Sequence, residues 1–159
     1  MNPATATAAA AARADATALL GRLTKPAGSL GALEALAVRL AGIERRCPPA
    51  PWPGAVAVFA ADHGVVASGV TPWPQEVTVQ MVANIANGGA AISVLARQHG
   101  LRLVVVDVGV ASPVVAGDNV WSHKVRAGSD DLAVGPALTA ADVDAALVVG
   151  VDVATRLVS

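Results

Sequence analysis

The stretch AVAVFAADHGVVASG, residues 55–69, decides the fold. Residues 56–61 form a continuous apolar run, which ends at two titratable side chains and a glycine, Asp62, His63 and Gly64. A short apolar run bounded by turn residues is typical of a strand buried on both faces of a parallel sheet. Ligands of such sheets bind beyond the carboxyl ends of the strands. The sequence therefore predicts that Asp62 and His63 lie at a binding edge.

A second apolar run, LVVVDV at residues 103–108, predicts a second parallel strand. It again ends at a carboxylate and a glycine, Asp107 and Gly109. Helical patterns begin at Glu76 and continue to about residue 98, with an interruption at residues 87–89. Strand, helices and strand in this order favour a right-handed βαβ unit.

The last part of the chain supplies no third buried strand. Residues 111–135 have the composition of a loop with at most short strands, and residues 139–157 are predicted to form a helix with Thr139 as its N-cap. Two strands make a poor sheet. Either weak strands complete the sheet, or the chain is the front part of a longer protein, and we favour the second interpretation.

The chain ahead of the first strand is predicted to be a small helical domain. Ser29 is the expected N-cap of its second helix, which carries an apolar stripe at helical spacing. The stripe consists of Leu30, Leu33, Leu36, Leu40 and Ile43. The predicted organisation is a flexible Ala-rich N-terminus at residues 1–18, a helical segment at 19–47, a Pro-rich linker at 48–54 and an α/β domain at 55–159.

Composition narrows the class of protein. The 159 residues are 54% hydrophobic and 14% charged with a net charge of −1, and the scattered charges predict no nucleic-acid partner. No apolar run approaches the ~20 residues that span a bilayer. The N-terminus lacks a secretory pattern, so we expect a cytoplasmic location. One cysteine and three histidines, without a cluster of ligands, predict neither a disulfide nor a metal site.

Trp73 is the most distinctive side chain outside the strands. It stands between Pro72 and Pro74 on a stiff loop next to the predicted binding edge. A large ring in that position suits the covering of a flat aromatic ligand as well as the capping of a core edge. Met81, on the helix that follows, suits a pocket wall as well as a core position.

Six short motifs in order resemble the nicotinate-nucleotide–dimethylbenzimidazole phosphoribosyltransferase family. They are LTKPAGSLG at 23–31, FAADHGV at 59–65, PQEVTVQM at 74–81 with Asn84, GGAAI at 88–92, VVDVGV at 105–110 and KVRAGS at 124–129. The resemblance covers about residues 19–159. It implies an α/β fold, a Rossmann-like parallel sheet flanked by helices with a small helical second domain, which we expect to be incomplete here.

The resemblance also implies an activity. The family transfers phosphoribose from nicotinate mononucleotide to dimethylbenzimidazole, giving α-ribazole phosphate and nicotinate, as a homodimer without metal or cofactor. Its glycine-rich phosphate-binding segment and its catalytic glutamate are expected beyond Ser159. The implied substrate-binding residues are Asp62, His63 and Gly64 at the floor, Trp73, Val77, Gln80, Met81 and Asn84 around the base, and Asp107 and Gly109 near the sugar.

Two other classes of function stay open. One is a non-catalytic small-molecule-binding α/β module that keeps the base slot as a truncated or degenerate copy. The other is a metal-dependent hydrolase or phosphatase that uses Asp62 and His63, which the lack of further ligand clusters disfavours.

Overall fold

The computed structural model describes residues 3–50 and 54–158, which belong to two compact units, Met1–Trp52 and Pro53–Ser159. The first unit contains helices α1 (Pro3–Arg22) and α2 (Ala32–Glu44). The second contains strands β1 (Ala55–Ala61), β2 (Arg102–Gly109) and β3 (Val120–Ser122), and helices α3 (Glu76–Ala86), α4 (Ala91–Gln98) and α5 (Ala140–Val158). The division between the units falls inside the predicted Pro-rich linker, of which residues 51–53 lie outside the described chain.

Helix α1 corrects the prediction of a flexible segment at residues 1–18. The Ala-rich sequence is helical from Pro3 onwards, so most of the segment predicted to be flexible belongs to α1. Alanine has the highest helix propensity, and here it also has a packing partner. Ala12 and Ala16 are buried against Ala41 of α2. Small side chains at the contact let the two helices lie close together.

Helix α2 uses a different face from the one that the periodicity suggested. Val38 and Ala41 face α1, whereas all five residues of the leucine–isoleucine stripe are exposed. Ser29 is not the N-cap: Gly31 holds that position without a side-chain cap. The carboxylate of Glu34 instead reaches back to the Leu30 N–H at 3.2 Å and accepts a 2.8 Å hydrogen bond from Lys25 Nζ.

The second unit is built on a parallel sheet in the order β1-β2-β3, which confirms the α/β fold class. Both predicted strands are present and extend one residue further than expected at one or both ends. The prediction that the first strand is buried on both faces is wrong, because β1 is an edge strand and none of its residues is fully buried. The third strand is short and pairs Val120 with Val105 and Ser122 with Asp107. It lies within the region that the sequence indicated as a loop with at most short strands.

Helices cover both faces of the sheet. Val105 of β2 faces α3, where it packs with Val82 and with Val120 of β3. Val104 and Val106 face the other way and pack with Trp121 and with Val153 of α5. The alternation explains why β2 reads as a continuous valine run, since both of its faces are buried.

One stretch, Glu76–Gln98, is long and apolar enough to cross a membrane by length and composition alone. The structure divides it into α3 and α4, and Val82, Ser93 and Ala96 of these helices are buried in the unit. The core helices of water-soluble proteins meet the same criteria, so this is weak evidence for a membrane span. The absence of a membrane partner remains a prediction.

Candidate functional site

Asp62 lies at the carboxyl end of β1, as predicted, and is buried. Its carboxylate Oδ2 accepts a 2.7 Å hydrogen bond from the Ala111 N–H, in the loop that follows β2. Its backbone N–H donates to the Gly109 carbonyl at 3.0 Å, and its carbonyl accepts from the Ser129 N–H at 3.0 Å. Asp62 therefore ties together the segments that follow the three strands.

Asp107 has a matching arrangement at the end of β2 and is also buried. Oδ1 accepts from the Val110 N–H at 2.9 Å, and Oδ2 forms an ion pair with Lys124 Nζ at 3.3 Å. The same ammonium donates to the carbonyls of Val110 (2.6 Å) and Ser112 (3.1 Å). Two buried carboxylates and one lysine thus hold residues 110–112 in place.

Close backbone approach explains the glycines at this edge. The Gly64 N–H donates to the Ser129 carbonyl at 3.1 Å. A Cβ at position 64 would lie 2.6 Å from the carbonyl carbon of Asp130, and one at Gly109 would lie 3.1 Å from the Ala61 Cβ. The segment after β3 therefore passes directly over the end of β1, and only glycine fits at position 64 without a shift of the backbone.

An apolar cavity of about 170 Å³ opens at this carboxyl edge. Its lining combines the ends of β1 and β2, the segment after β3 and the start of α5. The lining residues are Ala61, Asp62, His63, Val108, Gly109, Val125, Arg126, Gly128, Ser129, Leu132, Ala137, Leu138, Asp142 and Ala146. His63 itself is exposed at this lining. Predicted site residues from two strands thus meet around one cavity.

Charged groups fix the outer part of this cavity. Arg126 pairs with Asp130 at 2.8 Å and with Asp142 at 3.3 Å, and mainly Asp130 raises the pKa of the guanidinium. The N–H and hydroxyl of Thr139 bond to the Asp142 carboxylate and, with help from Arg126, lower its pKa. Sequence reasoning missed Lys124 and Arg126 as site residues, although both stand in the KVRAGS motif.

The predicted base-binding residues form a second group. Val77, Met81 and Asn84 lie on one side of α3 with Gln80, opposite the residues Val79, Val82 and Ala86 that pack on the sheet. This side is open: Met81 is 41% exposed, and Gln80 and Asn84 are also exposed.

Trp73, in the loop ahead of α3, is 69% exposed. Its backbone N–H donates to Thr71 Oγ1 at 3.2 Å, which holds the loop without enclosing the ring. The described structure gives the positions of the base-binding residues but not a closed slot, so their role stays a prediction. Among the residues that the structure describes, no group of three or more His, Cys, Asp or Glu side chains is placed to hold a metal ion.

Comparison with known proteins identifies the family. A family model described as a phosphoribosyltransferase matches residues 5–159. This chain belongs to that family. The nicotinate-nucleotide–dimethylbenzimidazole phosphoribosyltransferase of Salinispora tropica is 51% identical over 162 residues, covering 92% of this chain and 44% of the relative. The enzyme of the same name from Pseudomonas fluorescens is 52% identical over 135 residues, covering 85% of this chain and 38% of the relative.

The fold of the family agrees with the structure. The crystal structure of the Thermus thermophilus enzyme of this family superposes with a TM-score of 0.84 at 42% identity. The match covers 99% of this chain and 46% of the Thermus chain. The chain thus spans less than half the length of the family members that it resembles, and the resemblance read from the motifs is confirmed.

Proposed function

We propose that this chain contributes the base-binding part of a phosphoribosyl transfer from nicotinate mononucleotide to dimethylbenzimidazole, a step in assembly of the cobalamin lower ligand. The family match over residues 5–159 carries this proposal. It is supported by relatives that are about half identical and share the name of that activity. We propose that the transfer uses neither a metal ion nor an organic cofactor.

The chemistry requires positioning more than reactive groups. A flat apolar surface must orient the base so that one ring nitrogen faces the anomeric carbon of the ribose. A carboxylate must accept the proton of the other ring nitrogen. Trp73, Val77 and Met81 offer apolar surface of the required kind. Asp62 and Asp107 are engaged with the loop at residues 110–112, so we assign Asp62 to the floor and Asp107 to the sugar side, and neither to proton transfer.

The first experiment measures base binding. Dimethylbenzimidazole is titrated into the purified chain by isothermal titration calorimetry, with the variants Trp73→Leu, Met81→Lys and Met81→Leu. We expect saturable binding that Trp73→Leu and Met81→Lys weaken, whereas the volume-conserving Met81→Leu retains it. Both positions are exposed enough for the variants to fold. Equal binding by all variants would show that the base binds elsewhere.

A second experiment separates the enzyme from the alternative, a non-catalytic small-molecule-binding module. The chain alone, and the chain mixed with the C-terminal part of a full-length family member, are assayed for α-ribazole phosphate. We expect no product from the chain alone and product from the mixture. Product from the chain alone would refute the proposed division of labour, and base binding without product in either case would favour the module.

We further propose a homodimer in the cytoplasm. The exposed leucine–isoleucine stripe of α2 supports self-association, because monomeric proteins rarely leave a continuous apolar row in water. Sedimentation of the wild-type chain and of Leu33→Glu checks this proposal. A dimer that the glutamate dissociates is expected, and a monomeric wild-type chain would contradict it.

A further inference from the structure

A second cavity lies at the opposite edge of the sheet. It has a volume of about 360 Å³ and opens between the end of α3, helix α4 and the start of β2. Its lining residues are Ile85, Ala86, Asn87, Gly88, Ser93, Ala96, Arg97, Leu101, Arg102, Leu103, Val105 and Asn119. Because Arg102 begins β2 and Gly109 ends it, the cavity is roughly 20 Å from the carboxyl edge along the strand.

The charged side chains among the lining residues of this cavity are all basic. Arg97 contributes a guanidinium group, and no Asp or Glu is among the lining residues. Arg102 is also a lining residue, but its guanidinium carbon lies over the ring of Trp121, 5.3 Å from the ring centroid, on the face of the sheet that α5 covers. Lys25, Lys124 and Arg126 pair with carboxylates, whereas Arg97 forms no ion pair within residues 3–50 and 54–158.

Several hydrogen-bond donors of the lining residues have no protein partner among the described residues. Throughout the described ranges 3–50 and 54–158, no hydrogen bond or ion pair engages the guanidinium of Arg97 or the side-chain amides of Asn87 and Asn119. The hydroxyl of Ser93, by contrast, donates to the Ile85 carbonyl at 2.8 Å.

Gly88 places the arginine against the turn between α3 and α4. The backbone at Gly88 has a φ of +85°, and a Cβ there would lie 3.2 Å from Arg97 Nη1. A side chain at position 88 would therefore meet the guanidinium as well as strain the turn. Glycine leaves the face of the turn open and lets Arg97 fold towards Asn87.

We propose that this cavity binds a small oxyanion, a phosphate or carboxylate group, through Arg97 with Asn87 and Asn119. The guanidinium presents a planar fork of donors that matches two oxygens of either group. The amide groups of Asn87 and Asn119 add neutral donors. This site is separate from the proposed base-binding residues and does not depend on the phosphoribosyl transfer.

The test uses nuclear magnetic resonance on the full ¹⁵N-labelled chain in phosphate-free buffer. Inorganic phosphate is titrated in one series and malonate in another, so that the two kinds of oxyanion are distinguished. We expect saturable shifts of the Gly88, Arg97 and Asn119 amides with at least one of them. Arg97→Gln should weaken that binding about tenfold or more, since it removes a charged donor.

Two further variants make the result decisive. Arg22→Gln, in the last turn of α1, makes the same change of net charge without altering a lining residue of the cavity and should bind like the wild type. Asn119→Ala serves where Arg97→Gln disturbs folding, and should also weaken binding. The proposal is wrong if neither anion gives saturable shifts, if Arg97→Gln binds like wild type, or if the shifts cluster at Asp62 and Ser129 instead. Such a result leaves the base-binding experiment untouched.

Discussion

The helical unit and the α/β unit differ in the size of the side chains that form their buried contacts. The buried contact between α1 and α2 consists of Ala12, Ala16 and Ala41. The core of the α/β unit consists of valines from β2, together with Trp121 and Val153. One unit therefore relies on the close approach of two backbones, and the other on filled volume.

The difference has an energetic consequence. Burial stabilises in proportion to apolar area, at roughly 25 cal/mol per Å², and alanine offers little area. Helix α2 keeps its larger side chains, such as Leu33 and Ile43, in solvent. We infer that the α/β unit draws more stability from its own core than the helical unit does. Large-to-small substitutions in the core should therefore destabilise the α/β unit. Small-to-large substitutions at the contact between α1 and α2 should destabilise the helical unit.

The largest effect is expected for Trp121→Ala. The ring is 4% exposed, packs with Val104, Val106 and Val153, and carries Arg156 at 3.8 Å from its centroid. Removing it should lower the free energy of unfolding by about 3–5 kcal/mol. Urea unfolding with hydrogen exchange of the β2 amides measures this loss. Trp73→Ala is the matched control and should change stability by less than about 0.5 kcal/mol, because its ring is in solvent.

A smaller loss of stability is expected for Ala41→Leu, which adds volume to a tight contact instead of removing it. Ala41 is fully buried between α1 and α2, so a leucine must push the helices apart. Overpacking of this kind costs about 1–3 kcal/mol. Hydrogen exchange of the α1 amides should rise while that of β2 stays unchanged. Arg39→Ala, at an exposed position of α2 outside the stripe, should leave both unchanged, and a large loss there would show that the effect is not specific to the contact with α1.

The same contrast explains which parts of the fold could be predicted from sequence. Strands β1 and β2 were predictable because each is an unbroken apolar run, although only β2 is buried on both faces and Phe59 of the edge strand β1 is 47% exposed. Strand β3 was not, because three residues carry too little pattern, and only the pairing with β2 defines them. The contact face of α2 was predicted wrongly, since periodicity ranks Leu36 above Ala41, whereas close helix packing requires the smaller side chain.

The candidate site shows a similar limit. Strand-end position correctly placed Asp62 and Asp107 at one edge of the sheet. It could not reveal that Asp62 accepts from the Ala111 N–H and that Asp107 pairs with Lys124, because these contacts join segments far apart in sequence. For Trp73 and the α3 residues, the sequence gives identity and spacing, and the surface that would enclose a base is not among the described residues.

A modest loss of stability is expected when the N-cap of α5 in the α/β unit is removed. Thr139 Oγ1 accepts from the Asp142 N–H at 3.1 Å, and the Asp142 carboxylate accepts from the Thr139 N–H at 2.9 Å. This reciprocal N-cap was predicted from Thr139 and is confirmed. Thr139→Ala should cost about 1 kcal/mol and Thr139→Ser much less, measured by urea unfolding. Equal losses in both variants would mean that the methyl group, and not the hydroxyl, matters.

The smallest effect is expected at the start of α2 and depends on pH. Hydrogen bonds from Lys25 and from the Leu30 N–H hold the pKa of Glu34 below its ordinary value in the folded chain. The stabilisation is therefore complete above the ordinary pKa and is lost as the pH falls through the lowered one, between about pH 5 and pH 3. Thermal unfolding of the wild type and Glu34→Gln, with the α2 amides followed by hydrogen exchange, should differ slightly at pH 7 and converge at pH 3. Because the carboxylate is at the surface, added salt should shrink the difference at pH 7. A difference that persists at pH 3 would show that Glu34 acts through side-chain packing. It would contradict the inference that its charged carboxylate stabilises the start of α2.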